Sequence, residues 1–256
     1  MARPVTVALV RAPGPRLAEG LVTHLERAPV DVDRAREQWD AYVAVLAGAG
    51  LEVVAVPPAD GCPDAAFVED TLVVFGGAAV VTRPGAESRR AETAGTEDAA
   101  RTLGYLVERI EEPGTLDGGD VLVGAGLLYV GVGGRTNPEG ARQLASRLGV
   151  RVIEVPIAGI LHLKTAATRL PDGSYAGFLP LLRDALLAPG LRGVPEPSGA
   201  NVLGLGGSRL LVAGDCPRSA ELFASLGFDP IVVDISELQK LEAGVTCLSV
   251  LAQRLT

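Results

Sequence analysis

Residues Val121–Pro156, VLVGAGLLYVGVGGRTNPEGARQLASRLGVRVIEVP, spell out one complete structural unit. Val121 to Val132 is hairpin-shaped, two arms of β-branched and leucine side chains meeting at a glycine-bearing turn. From Pro138 the apolar spacing changes to that of an amphipathic helix. Pro138 sits near the first turn, and Gly149 sits where a left-handed helix end is expected. A β-branched strand then closes the unit at Pro156. The order is strand, strand, helix, strand.

The same unit recurs on both sides. Glu37–Pro57 (EQWDAYVAVLAGAGLEVVAVP) and Pro217–Ile235 (PRSAELFASLGFDPIVVDI) repeat the helix, stopping glycine and strand, with Gly50 and Gly227 as the stops. Hairpin-shaped runs also lie at Thr71–Thr82, followed by a helical stretch from Ser88 to Glu108, and at Val202–Ala213. A fourth, His162–Phe178, turns at Pro171-Asp172-Gly173 ahead of a helical Phe178–Ala188. Hairpin starts near 71, 121, 162 and 201 recur every roughly 40 to 50 residues, a period of radial repeat architectures. With an opening unit at the N-terminus the count is five. A doubly wound sheet would alternate single strands and helices and lacks such hairpins. The competing reading is an irregular α+β domain whose hairpins resemble one another by chance.

At about 150 residues per domain, 256 residues suggest one large domain or two small ones. No proline- or serine-rich linker divides the chain, so one closed domain over 1–256 is expected. A formal charge of -8, from 23 basic and 31 acidic residues, argues against nucleic acid as partner and suits a cationic small molecule. The apolar runs at Leu72–Val81 and Val121–Gly134 fall short of the about 20 residues a membrane span needs. The apolar run at Val5–Val10 is too short for a secretory leader. Cys62, Cys216 and Cys247 form no CxxC pair, and their odd number disfavours a disulfide framework. A reducing cytoplasm is the expected compartment.

The chain has no GxxxxGK[ST], HExxH, GxSxG or complete GxGxxG, and two histidines with dispersed cysteines offer no zinc spacing. The groups left for chemistry are Cys247, His162 and carboxylates set among apolar residues. Cys247 alone reads more commonly as a small buried hydrophobe, and His162 also as a satisfied core histidine. Asp64, Glu69 and Asp70 stand before one hairpin, and Asp117 and Asp120 bracket two glycines before the next. They read as solvated turn residues or, if they converge, as an anionic pocket matched to the planar N–H fork of a guanidinium. Arg89, Arg90 and Arg135 offer the opposite charge for a substrate carboxylate.

The runs PDAAFVEDT, VTRPG with the following Ser-Arg-Arg, LDGGDVL, GRTN, LHLK and LEAGVTCLSVL occur in this order between about Val30 and Leu251. Together they resemble the dimethylarginine dimethylaminohydrolases of the guanidino-modifying pentein superfamily. The resemblance implies a five-bladed α/β propeller of ββαβ repeats acting on methylated arginine without metal or organic cofactor, as a monomer or homodimer. It implies Cys247 as nucleophile, His162 as general acid and base, and Asp117 as the carboxylate orienting that histidine. Glu69 and Asp70 would surround the guanidinium, Asp64 and the Leu241 carbonyl would meet the substrate amine, and Arg89 and Arg135 would hold its α-carboxylate. Leu248 departs from the pattern, standing where a second cysteine is frequent. A lid is expected by analogy around Pro13–Glu26. Two other function classes compete: the same thiol chemistry on another guanidino compound such as arginine, and a non-catalytic module binding arginine-like ligands or serving as an interaction scaffold.

Overall fold

The computed structural model describes residues 5–182 and 189–255. The first unit holds β1 (Thr6–Val10), α1 (Val32–Gly48) and β2 (Glu52–Ala55), and the second β3 (Leu72–Phe75), β4 (Ala78–Val81), α2 (Thr93–Thr102) and β5 (Leu106–Arg109). The third holds β6 (Val121–Val123), β7 (Leu127–Val132), α3 (Pro138–Leu148) and β8 (Arg151–Pro156). The fourth inserts a short α4 (Leu163–Ala166) before β9 (Ala167–Arg169), β10 (Tyr175–Gly177), α5 (Leu179–Leu182) and β11 (Leu191–Gly193). The fifth holds β12 (Leu203–Gly204), β13 (Arg209–Ala213), α6 (Pro217–Ser225) and β14 (Asp229–Val233), and the chain ends through α7 (Ser236–Gln239) and β15 (Val250–Gln253).

Among the described residues five three-stranded sheets result, each with its middle strand antiparallel to one neighbour and parallel to the other. In the first sheet the antiparallel strand is β15 from the far end of the chain, with Thr6 opposite Gln253. Chain ends therefore complete one sheet together. The remaining joints follow from the two-residue alternation of side chains along a strand. Val7 and Leu9 pack with Leu72, Val81 and Val250 on one side, while Ala8 and Val10 pack with Leu211, Ala213 and Val233 on the other. Val73, Val80, Val121 and Val130 join sheets two and three, and Leu122, Tyr129, Ala167 and Tyr175 join three and four. Leu170, Ala176, Leu210 and Val212 join four and five. The core is thus five interfaces arranged in a ring, and the middle strands, buried on both faces, read as near-continuous apolar runs.

Gly149 ends α3 at φ 59°, and Pro138 opens it behind the Asn137 cap, which accepts from Gly140 N at 2.8 Å. The helical reading of Ser88–Glu108 is corrected: α2 stops at Thr102, Gly104 turns at φ 92°, and Leu106–Arg109 is β5, parallel to β4. Gly104, in the left-handed region, marks the helix end inside the range expected to be helical. In the helical reading of Phe178–Ala188, residues 179–182 are helical and 183–188 lie outside the described residues.

Candidate active site

The loops at one end of the ring bring together side chains from all five units. The carboxylates of Glu69 and Asp70 come from a 3-10 turn, Val68–Thr71, whose backbone faces the Gly118–Asp120 turn of the next unit. The contact is close. A Cβ at Gly118 would stand 2.0 Å from Glu69 O, and one at Gly119 would stand 2.6 Å from His162 Nδ1. The two glycines of LDGGD are there so that two turns and an imidazole pass one another. Gly119 N then donates to Asp70 Oδ1 at 2.8 Å.

His162 caps the one-turn α4 and is buried, with Nε2 3.2 Å from Asp117 Oδ2. Its Nδ1 lies 3.8 Å from Asp70 Oδ1 and makes no hydrogen bond among the described residues. Asp117 is itself fixed, Oδ1 accepting from Gly85 N at 2.8 Å. Asp120 points the other way, accepting from Thr136 Oγ1 at 2.6 Å and from Leu163 N at 3.0 Å. It anchors the chain immediately after His162, and burial pushes its carboxyl up to about 6 despite the nearby imidazole and these bonds. For His162, burial works against the imidazolium, but Asp70, Asp120 and Asp117 outweigh it and push the ring up to about 9.

Cys247 lies in the 3-10 turn Val245–Leu248, half-buried, with Gly244 N 3.4 Å from its sulfur. Burial, then Glu69 and Asp70, push the thiol up to about 12. At neutral pH the resting pair is therefore thiol and imidazolium. Glu69 is held by Lys164 Nζ on Oε1 at 2.6 Å and by Thr246 Oγ1 on Oε2 at 2.8 Å, and burial raises its carboxyl above the usual range in spite of both. Asn201 fixes Thr246 twice, donating to Oγ1 at 3.1 Å and accepting from the backbone N at 3.0 Å.

Asp64 and Arg135 stand at the opposite end of the site. Asp64 Oδ1 accepts from Leu21 N at 2.9 Å, and Arg135 Nη2 donates to Thr23 Oγ1 at 3.1 Å. Glu242 accepts from Thr23 N at 2.8 Å and His24 N at 2.5 Å, so the segment expected to be a lid is seated across the site. Arg89 is buried with its fork engaged: Nη1 on Asp70 at 2.5 Å, Nη2 on Glu92 at 2.9 Å and on the carbonyl of Phe67 at 3.0 Å. Burial opposes its charge, while Asp70 and Glu92 raise its pKa well above normal.

Two cavities meet at the sulfur. A small one, about 20 Å³, is lined by Leu21, Asp64, Asp70, Arg89, Arg135 and Leu241. A larger one, about 110 Å³, is lined by Glu69, Gly119, Lys164, Ser198, Asn201 and Gln239. His162, Glu242, Ala243 and Cys247 border both. All nine sequence-predicted residues line one or both cavities, except Asp117, which stands behind His162. Sequence reasoning did not single out Lys164, Asn201 and Thr246. Lys164 and Thr246 lie inside motifs that were quoted, and Asn201 carries no sequence signal. Asp70, Asp117 and His162 also approach one another closely enough to hold a metal ion, but Arg89 and Gly119 N already occupy Asp70 and Gly85 N occupies Asp117.

A five-unit α/β ring with cysteine, histidine and paired carboxylates converging at one end defines the guanidino-modifying pentein class. No family model matches the chain. It is, however, 58% identical over 250 residues to an N(G),N(G)-dimethylarginine dimethylaminohydrolase of Streptomyces coelicolor, covering 96% of this chain and 97% of that protein. It is 36% identical over 253 residues to the enzyme of that name from Pseudomonas aeruginosa, covering 94% and 97%. The structure of a cysteine-to-serine variant of the P. aeruginosa protein complexed with citrulline superimposes with a TM-score of 0.88 at 33% identity, covering 98% of this chain and 100% of that one. The chain belongs to the dimethylarginine dimethylaminohydrolase family.

Proposed function

We propose that this protein hydrolyses Nω-methylated arginine to citrulline and an alkylamine, using Cys247 as nucleophile and His162 as proton carrier. The observation that carries the reading is the meeting of a thiol, an imidazolium and two buried carboxylates, Glu69 and Asp70, where two cavities join at Cys247, in a chain of this family. Arginine deimination by the same thiol chemistry is the neighbouring reading. The methylated substrate is favoured by the full-length relatives at 58% and 36% identity that carry that activity in their names.

A guanidinium carbon is a poor electrophile, so the reaction needs a thiolate, yet the resting thiol is held protonated first by burial and then by the charges of Glu69 and Asp70. A guanidinium seated against those carboxylates cancels the charge that opposes the thiolate. The thiol proton then leaves to solvent, and substrate and nucleophile become ready together. Glu69 and Asp70 also keep the guanidinium protonated and hence electrophilic. Cys247 Sγ bonds to the guanidinium carbon, and the bond to the substituted nitrogen breaks as imidazolium His162 gives it a proton. An S-alkylthiouronium remains. Neutral His162 next takes a proton from water, whose oxygen bonds to the same carbon, and the C–S bond breaks to release citrulline and the thiolate. Asp117, hydrogen-bonded to Nε2, keeps the ring oriented and stabilises its charge.

At the small cavity, Asp64 and the Leu241 carbonyl would take the α-amine and Arg135 the α-carboxylate. Arg89, expected to share the α-carboxylate, lines this cavity with its donors held by Asp70, Glu92 and the carbonyls of Asp64 and Phe67, so it adds positive charge beside the carboxylate and fixes Asp70. Purified protein given asymmetric dimethylarginine is expected to release citrulline and dimethylamine in equal amounts. Cys247→Ser is expected to lower turnover by on the order of 10⁴-fold or more. Wild type that forms no citrulline from any methylated arginine overturns the reading.

A further inference from the structure

The division of the site into two cavities on either side of Cys247 and His162 is more than the reaction on dimethylarginine requires. The small cavity holds the groups that would grip an amino-acid head, Asp64 and Arg135, and it is about 20 Å³ while Leu21 N and Thr23 Oγ1 engage those two, so a substrate head takes the places of these contacts. Since about 10 to 15 Å³ of such space holds one water, the larger cavity of about 110 Å³ accommodates several non-hydrogen atoms. A substrate anchored at Asp64 and Arg135 with its guanidinium carbon at Cys247 runs from the small cavity towards the large one. Whatever extends beyond that carbon enters the large one.

The large cavity is also polar in an uneven way. Lys164, Asn201 and Thr165 are spoken for: Lys164 holds Glu69, Asn201 holds Thr246, and Thr165 faces His162 N. Ser198 donates to Asp215 at 2.6 Å. Gln239 differs. It is half-buried on α7, and among the described residues its carboxamide makes one long hydrogen bond, Nε2 to Ser198 Oγ at 3.5 Å. A carboxamide with both a donor and an acceptor to spare faces a space larger than two methyl groups fill.

We infer that the large cavity receives the substituents of the ω-nitrogen and admits groups longer than methyl that end in a hydrogen-bonding atom, with Gln239 selecting them. The inference rests on the hydrolysis proposed above and specifies its substrate class: arginines whose ω-nitrogen carries a short hydroxyalkyl-type group. The bonds made and broken stay the same. With an Nω-2-hydroxyethyl group the C–N bond breaks, His162 protonates the nitrogen, and 2-aminoethanol leaves beside citrulline, water supplying the oxygen.

The test compares citrulline formation from Nω,Nω-dimethylarginine, Nω-(2-hydroxyethyl)arginine and Nω-propylarginine, the last two equal in length and differing in the terminal atom. The wild type is expected to turn over the hydroxyethyl compound with kcat/KM about tenfold above the propyl one, the effect of one well-placed hydrogen bond in a partly buried site. Gln239→Leu, which keeps the volume and removes the amide, is expected to bring that ratio close to one. Gln239→Trp, which fills the space, is expected to cost about threefold with dimethylarginine and about a hundredfold with both longer substrates. Citrulline from dimethylarginine but none from the hydroxyethyl compound overturns the inference while leaving the reaction standing. So does an unchanged hydroxyethyl-to-propyl ratio in Gln239→Leu, or equal losses for all three substrates in Gln239→Trp. Citrulline from none of the three overturns both.

Discussion

Two ion-pair clusters flank Cys247, and they are built in opposite ways. On one side Asp117 and Asp70 close on His162, with Arg89 and Glu92 continuing the chain behind Asp70. Here the carboxylates outnumber what the arginine neutralises, and the surplus charges the imidazole. On the other side a single carboxylate, Glu69, is met by one lysine and one hydroxyl, and the surplus is small. The first cluster sets a proton, with Asp70 shared between the ring and the substrate guanidinium, and the second serves binding alone. Their difference shows why one pocket holds both an acid in its protonated form and a carboxylate poised to receive a cation.

The largest effect is expected from neutralising the first cluster at its contact with the ring. Asp117→Asn keeps the shape, loses the charge and presents a donor or acceptor to Nε2 at will, so kcat should fall by about 10² to 10⁴. The sign of the pH effect follows from the causes of the His162 shift. Its imidazolium is stabilised by Asp70, Asp120 and Asp117, so removing one carboxylate lowers the ring pKa from about 9. The acid needed for amine departure is then lost at a lower pH. The alkaline limb of the kcat profile should move down in the variant, and a profile that keeps its limb would mean that Asp117 does not govern the ring.

A change in the second cluster should appear in binding. Lys164→Met removes the cation at 2.6 Å from Glu69 without touching His162. Lysine lowers the Glu69 carboxyl and burial raises it, so the variant carboxyl goes higher still and is protonated over a wider acid range. KM for dimethylarginine should rise about tenfold at pH 7, with kcat changed less and the acid limb of kcat/KM displaced upward. An equal fall in kcat with an unchanged KM would erase the distinction drawn between the clusters.

The two sides were unequally legible in the sequence. The repeat was readable because middle strands and helices carry their signals locally, in Pro138, Gly149 and the apolar arms of Val121–Val132. The closure was not. β15 pairs with β1 across the whole length of the chain, and no local pattern in Val250–Gln253 names its partner. The Asp117 side was visible because its carboxylates, glycines and histidine stand in short motifs. Even there, the glycines were legible as turn formers and the close approach to Glu69 and His162 that requires them was not. Asn201, 45 residues from Thr246, acts only through a contact that exists after the ring has closed.

That contact supplies the smallest and most discriminating change. Thr246 Oγ1 donates to Glu69 Oε2 and accepts from Asn201 Nδ2, and all three groups are buried. Thr246→Val preserves the volume closely and removes both bonds. Glu69 keeps Lys164, so its charge balance changes little, but Oε2 is left without its hydroxyl and Asn201 without one acceptor. Leaving buried polar groups unpaired costs about 1 to 3 kcal/mol, to be read from the midpoint of urea unfolding. Because the backbone N of Thr246 still bonds to Asn201 Oδ1, the turn that carries Cys247 keeps its main anchor. Turnover should therefore fall only about threefold, with the pH profile of the His162 side unmoved, since no member of that cluster touches Thr246. A shift of the alkaline limb in Thr246→Val would show the two clusters to be one coupled network, and the contrast between a proton-setting side and a binding side would have to be given up.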